Sequence, residues 1–234
     1  MKLLLTQGQS MDTTDAAGRT PLSWAIEHEK TEVVSMLHSR GATLEQKDRC
    51  GATPLLRAAM VGGVAMINML LLAGSNISSR DLQGTSALSH AAANGHVDVT
   101  VLLLNEGANA EWRDVRGRTP LALASMHGHE RIVELLLDRE VEMESRDQFG
   151  VTPLSHAAAA RVLIRAGADL RSKDDTDWTA LRWAMEKGNQ EMVQLLLDGG
   201  ASEDRGGKQR SFSGISGFRS GRKEHFVIEK TLTT

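Results

Sequence analysis

Few of the 234 residues stand where side-chain chemistry would need them. The only close histidine pair is His127-x-His129. Two imidazoles could begin a metal site, but a closed site takes about four ligands, and a single cysteine rules out a cysteine-rich zinc centre. His96 stands one unit earlier in the place of His129, so the pair reads as a recurring turn and cap residue rather than a ligand set. Cys50 follows Arg49, a neighbour that favours thiolate, yet no general base is identifiable beside it. Arg210-Ser211-Phe212-Ser213 has the basic-then-serine pattern of a kinase target. G-x-S-x-G, G-x-x-x-x-G-K-[ST] and G-x-G-x-x-G are all missing. No enzyme, cofactor or small-molecule substrate is therefore expected.

Composition says what must position such residues. Hydrophobic residues make up 41% and charged ones 24%, as in ordinary globular chains. Four Trp, four Phe and no Tyr leave the core to Leu, Val, Ala and ten Met, which suits thin layers. One cysteine excludes an internal disulfide and fits a reducing compartment, cytoplasmic or nuclear. Lys2-Leu3-Leu4-Leu5 stops at Thr6, short of the roughly 7–15 apolar residues of a secretion signal. No run of about 18 apolar residues exists, so no membrane span is expected. Net charge is −3, split between +5 on residues 205–234 and −8 on 1–204.

The chain repeats itself. Thr20-Pro21-Leu22, Thr53-Pro54-Leu55, Ser86-Ala87-Leu88, Thr119-Pro120-Leu121, Thr152-Pro153-Leu154 and Thr179-Ala180-Leu181 recur at spacings of 33, 33, 33, 33 and 27, and hold all four prolines. Thr or Ser suits an N-cap, and proline suits N1, where its missing N–H costs nothing. Five residues on stand Ala25, Ala58, Ala91, Ala124, Ala157 and Ala184, small enough for a close helix contact. A second helix follows, as in Ile132-Val133-Glu134-Leu135-Leu136-Leu137. Gly62, Gly95, Gly128 and Gly188 lie between the helices, and Gly41, Gly74, Gly107, Gly167 and Gly200 close the second one as left-handed caps. Asp15-x-x-Gly18, repeated from Asp48, Asp81, Asp114 and Asp147, is a β-turn signature.

Turn, helix, short turn, helix at this period resembles the ankyrin repeat with its T-P-L-H-x-A signature. Gly18-Arg19-Thr20-Pro21-Leu22-Ser23-Trp24-Ala25 and Gly167-Ala168-Asp169 further resemble the long ankyrin arrays of fungal NACHT-type receptors. The resemblance implies an all-α solenoid of stacked helix hairpins with β-turn fingers, binding a protein partner as scaffold, adaptor or sensor. Units are expected at 15–47, 48–80, 81–113, 114–146, 147–173 and 174–204, with a partial repeat over 1–14 and a tail over 205–234. Because the chain opens inside a second helix, at Lys2 to Leu5, it is expected to be a fragment.

Departures from the family pattern carry expectations of their own. The signature histidine is replaced by Ser23, Leu56, Ser89, Ala122, Ser155 and Arg182, which weakens or replaces its bridge between turns. Glu140 holds a closing-glycine place, at a cost on the order of 1 kcal/mol, and Asp177 replaces the last turn glycine. The 147–173 unit lacks the six residues that match Asn94 through Val99, so Pro153 to Ala166 reads as one unbroken helix of about 21 Å that kinks or breaks the stack.

Binding is expected at the fingers. Leu82, Val115, Arg116, Arg118, Phe149, Val151 and Trp178 put apolar and arginine side chains at finger tips, where they either anchor a partner or lean on the next finger. Lys47, Arg80, Arg113, Arg146 and Lys173 form a basic edge. Its simpler reading is pairing with Asp48, Asp81, Asp114 and Asp147, and its alternative is attraction of an acidic partner. Trp24 and Trp183 read as packing residues. The Gly-, Ser- and Arg-rich tail is expected to be disordered linker, with nucleic-acid binding through Phe212 and Phe218 as the alternative.

Overall fold

The computed structural model describes residues 10–156 and 159–202, and among them twelve helices and no strand. They are α1 Pro21–Glu27, α2 Thr31–Ser39, α3 Pro54–Val61, α4 Val64–Leu72, α5 Ala87–Asn94, α6 Val97–Asn105, α7 Pro120–Met126, α8 Glu130–Leu137, α9 Pro153–His156, α10 Ala160–Arg165, α11 Ala180–Glu186 and α12 Gln190–Asp198. Isolated bridges, Arg80 with Ser86 and Lys173 with Thr179, are the only β pairing among the described residues. No helix among them is long and apolar enough to cross a membrane.

Five of the six first helices are capped by the predicted side chain. The side chains of Thr20, Thr53, Ser86, Thr119 and Thr179 accept the N–H of the third residue on, at 3.1–3.4 Å. Second helices start with less help, since only Asn189 caps with its side chain, accepting from Met192 N–H at 3.0 Å. Left-handed backbone turns the chain between helices. Gly62 and Gly95 have φ of 92° and 78°, and a Cβ there would come within 2.6 and 2.7 Å of the His96 and His129 rings. Glu140 and Asp177 take positive φ, as their places demand, and so does Glu29 at 53° in the place of Gly62.

Two helix layers hold the core. The odd-numbered helices pack in sequence from α1 to α11, and the even-numbered ones from α4 to α12. Leu22, Leu55, Leu88, Leu121, Leu154 and Leu181 run through the first layer, each at most 2% exposed. Leu37, Leu70, Leu103, Leu136, Leu163 and Leu196 run through the second, each at most 1% exposed. Burying such a side chain contributes about 1.5–3 kcal/mol, and the covering surface comes mostly from the neighbouring unit. Ala25, Ala58, Ala91, Ala124 and Ala184 are at most 4% exposed where helices meet closely, and Ala157 lies outside the described residues.

The shortened unit differs from its expectation. Pro153 to Ala166 is not one straight helix: α9 covers Pro153–His156, and α10 starts at Ala160 after a bend at Ala159. α9 fills the first layer between α7 and α11, while α10 fills the second between α8 and α12, so the stack is unbroken. The cause is burial. One straight helix would leave Leu154 or Leu163 outside its layer, whereas both are at most 2% exposed. Local helix propensity loses to tertiary packing here. The Lys2–Leu5 stub and the 205–234 tail, with its expected disorder, lie outside the described residues.

Candidate protein-binding surface

Each finger is built on one aspartate. Oδ1 of Asp15, Asp48, Asp81, Asp114, Asp147 and Asp174 accepts two backbone N–H groups, from the residues two and four places on, all at 2.8–3.0 Å. Its own N–H donates to the carbonyl of the fourth residue, as from Asp81 to Thr85 at 3.2 Å. Adjacent fingers are tied by one further bond. The N–H groups of Arg49, Leu82, Val115, Gln148 and Asp175 donate to Ala17, Cys50, Gln83, Arg116 and Phe149 carbonyls at 2.8–3.1 Å.

Oδ2 of the same aspartates replaces the bridge of the missing histidine. The residue nine places on, at the fourth position of each first helix, donates to it where it can: Arg57 to Asp48, His90 to Asp81, His156 to Asp147 and Trp183 to Asp174, at 2.7–2.9 Å. Trp24 and Leu123 occupy that position without reaching. There Arg19 and Arg118, four places on, donate to Asp15 and Asp114 at 2.9 and 2.8 Å. Trp183 is thus a finger clamp as well as a packing residue. The Arg19 N–H and guanidinium hold the Asp15 carboxyl below its usual range, and Asp15 together with Glu27 holds Arg19 above its own. Burial pushes the His90 imidazole down against the opposing pull of Asp81.

Lys47, Arg80, Arg113 and Arg146 of the basic edge do not pair with the finger aspartates, whose oxygens are already taken. Lys47, Arg113 and Arg146 reach instead to the carbonyls of their counterparts one unit on, Arg80, Arg146 and Lys173, with 3.0 and 2.6 Å for the first two. Arg80 lies over the Trp112 ring at 4.9 Å. The edge is a series of inter-repeat rungs. A second series runs beside it: Asp12, Glu45, Glu111 and Glu144 accept the N–H groups of Thr43, Asn76, Glu142 and Asp169 at 2.7–2.9 Å. The equivalent Ser78 is too short for its rung.

The histidine pair is structural. Nε2 of His96 and of His129 donates to the previous unit at the Met60 and Ala93 carbonyls, at 2.9 and 3.0 Å, and His127 Nδ1 donates to the Leu123 carbonyl at 2.9 Å. No cluster of three or more His, Cys, Asp or Glu able to hold a metal occurs among the described residues.

With these bonds made, the tips divide. Leu82, Val115 and Phe149 are 68%, 59% and 53% exposed, and Arg116 is exposed beside them. Val151 is buried at 7%, so it is not a presented residue. Its place, four past the aspartate, closes the turn and points to the helices, as Ala52 and Thr85 do. Arg118 shares that place and is held on Asp114. Trp178 is half-buried, 4.9 Å from the Trp183 ring and 5.1 Å from the Arg182 guanidinium. The structure brings Leu82 and Val115 together on neighbouring fingers, at the rim of a depression of about 680 Å³ lined also by Glu45, Lys47, Ser78 and Arg80. It lies where the Ser78 rung is missing.

Comparison with curated proteins returns no match. The family model for ankyrin repeats, which describes three copies at a time, matches residues 1–81, 57–147 and 139–206. With stacked hairpins, fingers and period all present over the same span, the chain belongs to the ankyrin repeat family.

Proposed function

We propose that the array binds a protein partner through its third to fifth fingers and catalyses no reaction. Ankyrin repeats are in general protein-interaction modules. The observation that carries the reading is that Leu82 and Val115 stay exposed although every backbone and carboxylate tie of their fingers is already made. Large apolar side chains with no internal role, beside a depression with polar walls, are the usual make-up of a binding anchor. Arg116 on the fourth finger and Phe149 on the fifth extend the patch. The resemblance to receptor arrays supports a scaffold, adaptor or sensor role within a cytoplasmic or nuclear assembly. Affinity capture comparing the natural chain with Leu82→Ser plus Val115→Ser tests it: partners held by the natural chain are lost from the variant.

A further inference from the structure

The last repeat exposes positions that the other described repeats cover. Met185 is 44% exposed, whereas Ile26, Ala59, Ala92 and Ser125 in the same place are at most 1% exposed. Val193 is half-buried, whereas Val34, Ile67, Thr100, Val133 and Ala160 are at most 2% exposed. Leu197 beside them is 36% exposed, in a place where Leu104 is 8% exposed, Leu71, Leu137 and Ile164 are half-buried and His38 is exposed. A hairpin unit cannot shield both of its faces, so among the described residues this end of the array presents an apolar surface.

Two polar groups on the last repeat are also set for a neighbour. Glu186 stands in the place of Glu27, whose carboxylate binds the Arg57 guanidinium of the following repeat at 3.1 Å. Glu186 is exposed and has no such cation among the described residues. The Thr176 carbonyl stands where five earlier fingers each accept an N–H from the next finger, and it accepts none among the described residues. A basic, apolar segment would answer both needs.

We propose that the chain's own C-terminal segment covers this face, with Phe226-Val227-Ile228 on Met185, Val193 and Leu197 and a lysine or arginine on Glu186. The segment leaves the array beside this face, since Ser202 lies four residues past the end of α12. Phe226-Val227-Ile228 is its only run of three apolar residues, flanked by Lys223 and Lys230. Its +5 charge opposes the −8 of the array. The Gly- and Ser-rich stretch 206–221 is long enough to let it turn back, and a tether of that length holds the two at roughly millimolar effective concentration.

Hydrogen exchange on the full chain tests this, comparing the natural sequence with Phe226→Ser plus Ile228→Ser at two protein concentrations. The expected result is that α11 and α12 exchange roughly tenfold faster in the variant, at both concentrations, while α3 to α8 are unchanged. Equal exchange of α11 and α12 in the two chains would overturn the proposal. Protection that rises with protein concentration would overturn it too, since a second copy would then be the cover.

Discussion

Repeats 81–113 and 147–173 solve one packing problem with different amounts of chain. The first has helices of eight and nine residues joined through Gly95 and His96. The second is six residues shorter, with no glycine turn and no turn histidine. Their fingers nevertheless match. Asp81 and Asp147 each hold two N–H groups at 2.9–3.0 Å and a histidine at 2.9 Å. Each finger receives the next one's N–H, at 2.9 Å from Val115 and 3.1 Å from Asp175. What the short repeat loses is the histidine rung of the kind His129 makes to Ala93, and the cap bond of its first helix, since the Thr152 hydroxyl meets only the Ser155 hydroxyl at 3.4 Å. Register along the stack therefore resides in the fingers and the leucine layers, and the inter-helix turn is expendable.

The largest effect should come from removing a finger aspartate on each side of this comparison. Asp147→Ala leaves two N–H groups and His156 without their acceptor, a loss of about 3 kcal/mol. The short repeat already lacks the histidine rung and the cap bond, so urea unfolding should resolve a separate, earlier transition for residues 147–202. Asp81→Ala should lower the midpoint of a single transition instead. Identical unfolding curves for the two variants would break the comparison.

Much of this architecture is legible in the sequence. The period, the Thr-Pro caps, the aspartate turns and the glycine closures all follow from residue type and spacing. The clamp on the aspartate is hidden for a physical reason: a carboxylate accepts equally from Arg57, His90, His156 and Trp183, and where Trp24 or Leu123 stands, Arg19 or Arg118 does the work from another position. A role shared among residue types leaves no single-letter pattern. Val151 misleads because a valine in a turn looks presented, while its backbone pairing with Asp147 points it inward. The break before Ala160 is invisible locally because the demand for it comes from α8 and α12.

A smaller effect sharpens the same contrast at the junction between whole and short repeats. Glu140 holds φ of 57° where Gly41, Gly74 and Gly107 stand in the other units. Glu140→Gly should stabilise the array by about 1 kcal/mol, raising Tm by roughly 2–4 °C in a thermal melt. No change in Tm would mean that the left-handed turn is unstrained there.

The smallest effect is a pH dependence. Burial lowers the His90 pKa from its ordinary 6.5, so the unfolded chain binds that proton more readily than the folded one. Stability from this group is complete above about pH 6.5 and is lost as pH falls from there toward the lowered folded value. His90→Gln should flatten that part of the curve of stability against pH, as followed by urea midpoints. An unchanged slope would place the dependence elsewhere.

The central claim is that the tips of the third and fourth fingers are free to bind because the fingers hold themselves together. Titration of a purified captured partner against the natural chain and Leu82→Ser plus Val115→Ser, with melts run in parallel, reads it directly. The expected result is affinity weaker by about tenfold or more at an unchanged Tm. Equal affinity, or a loss of affinity matched by a fall in Tm, would contradict it.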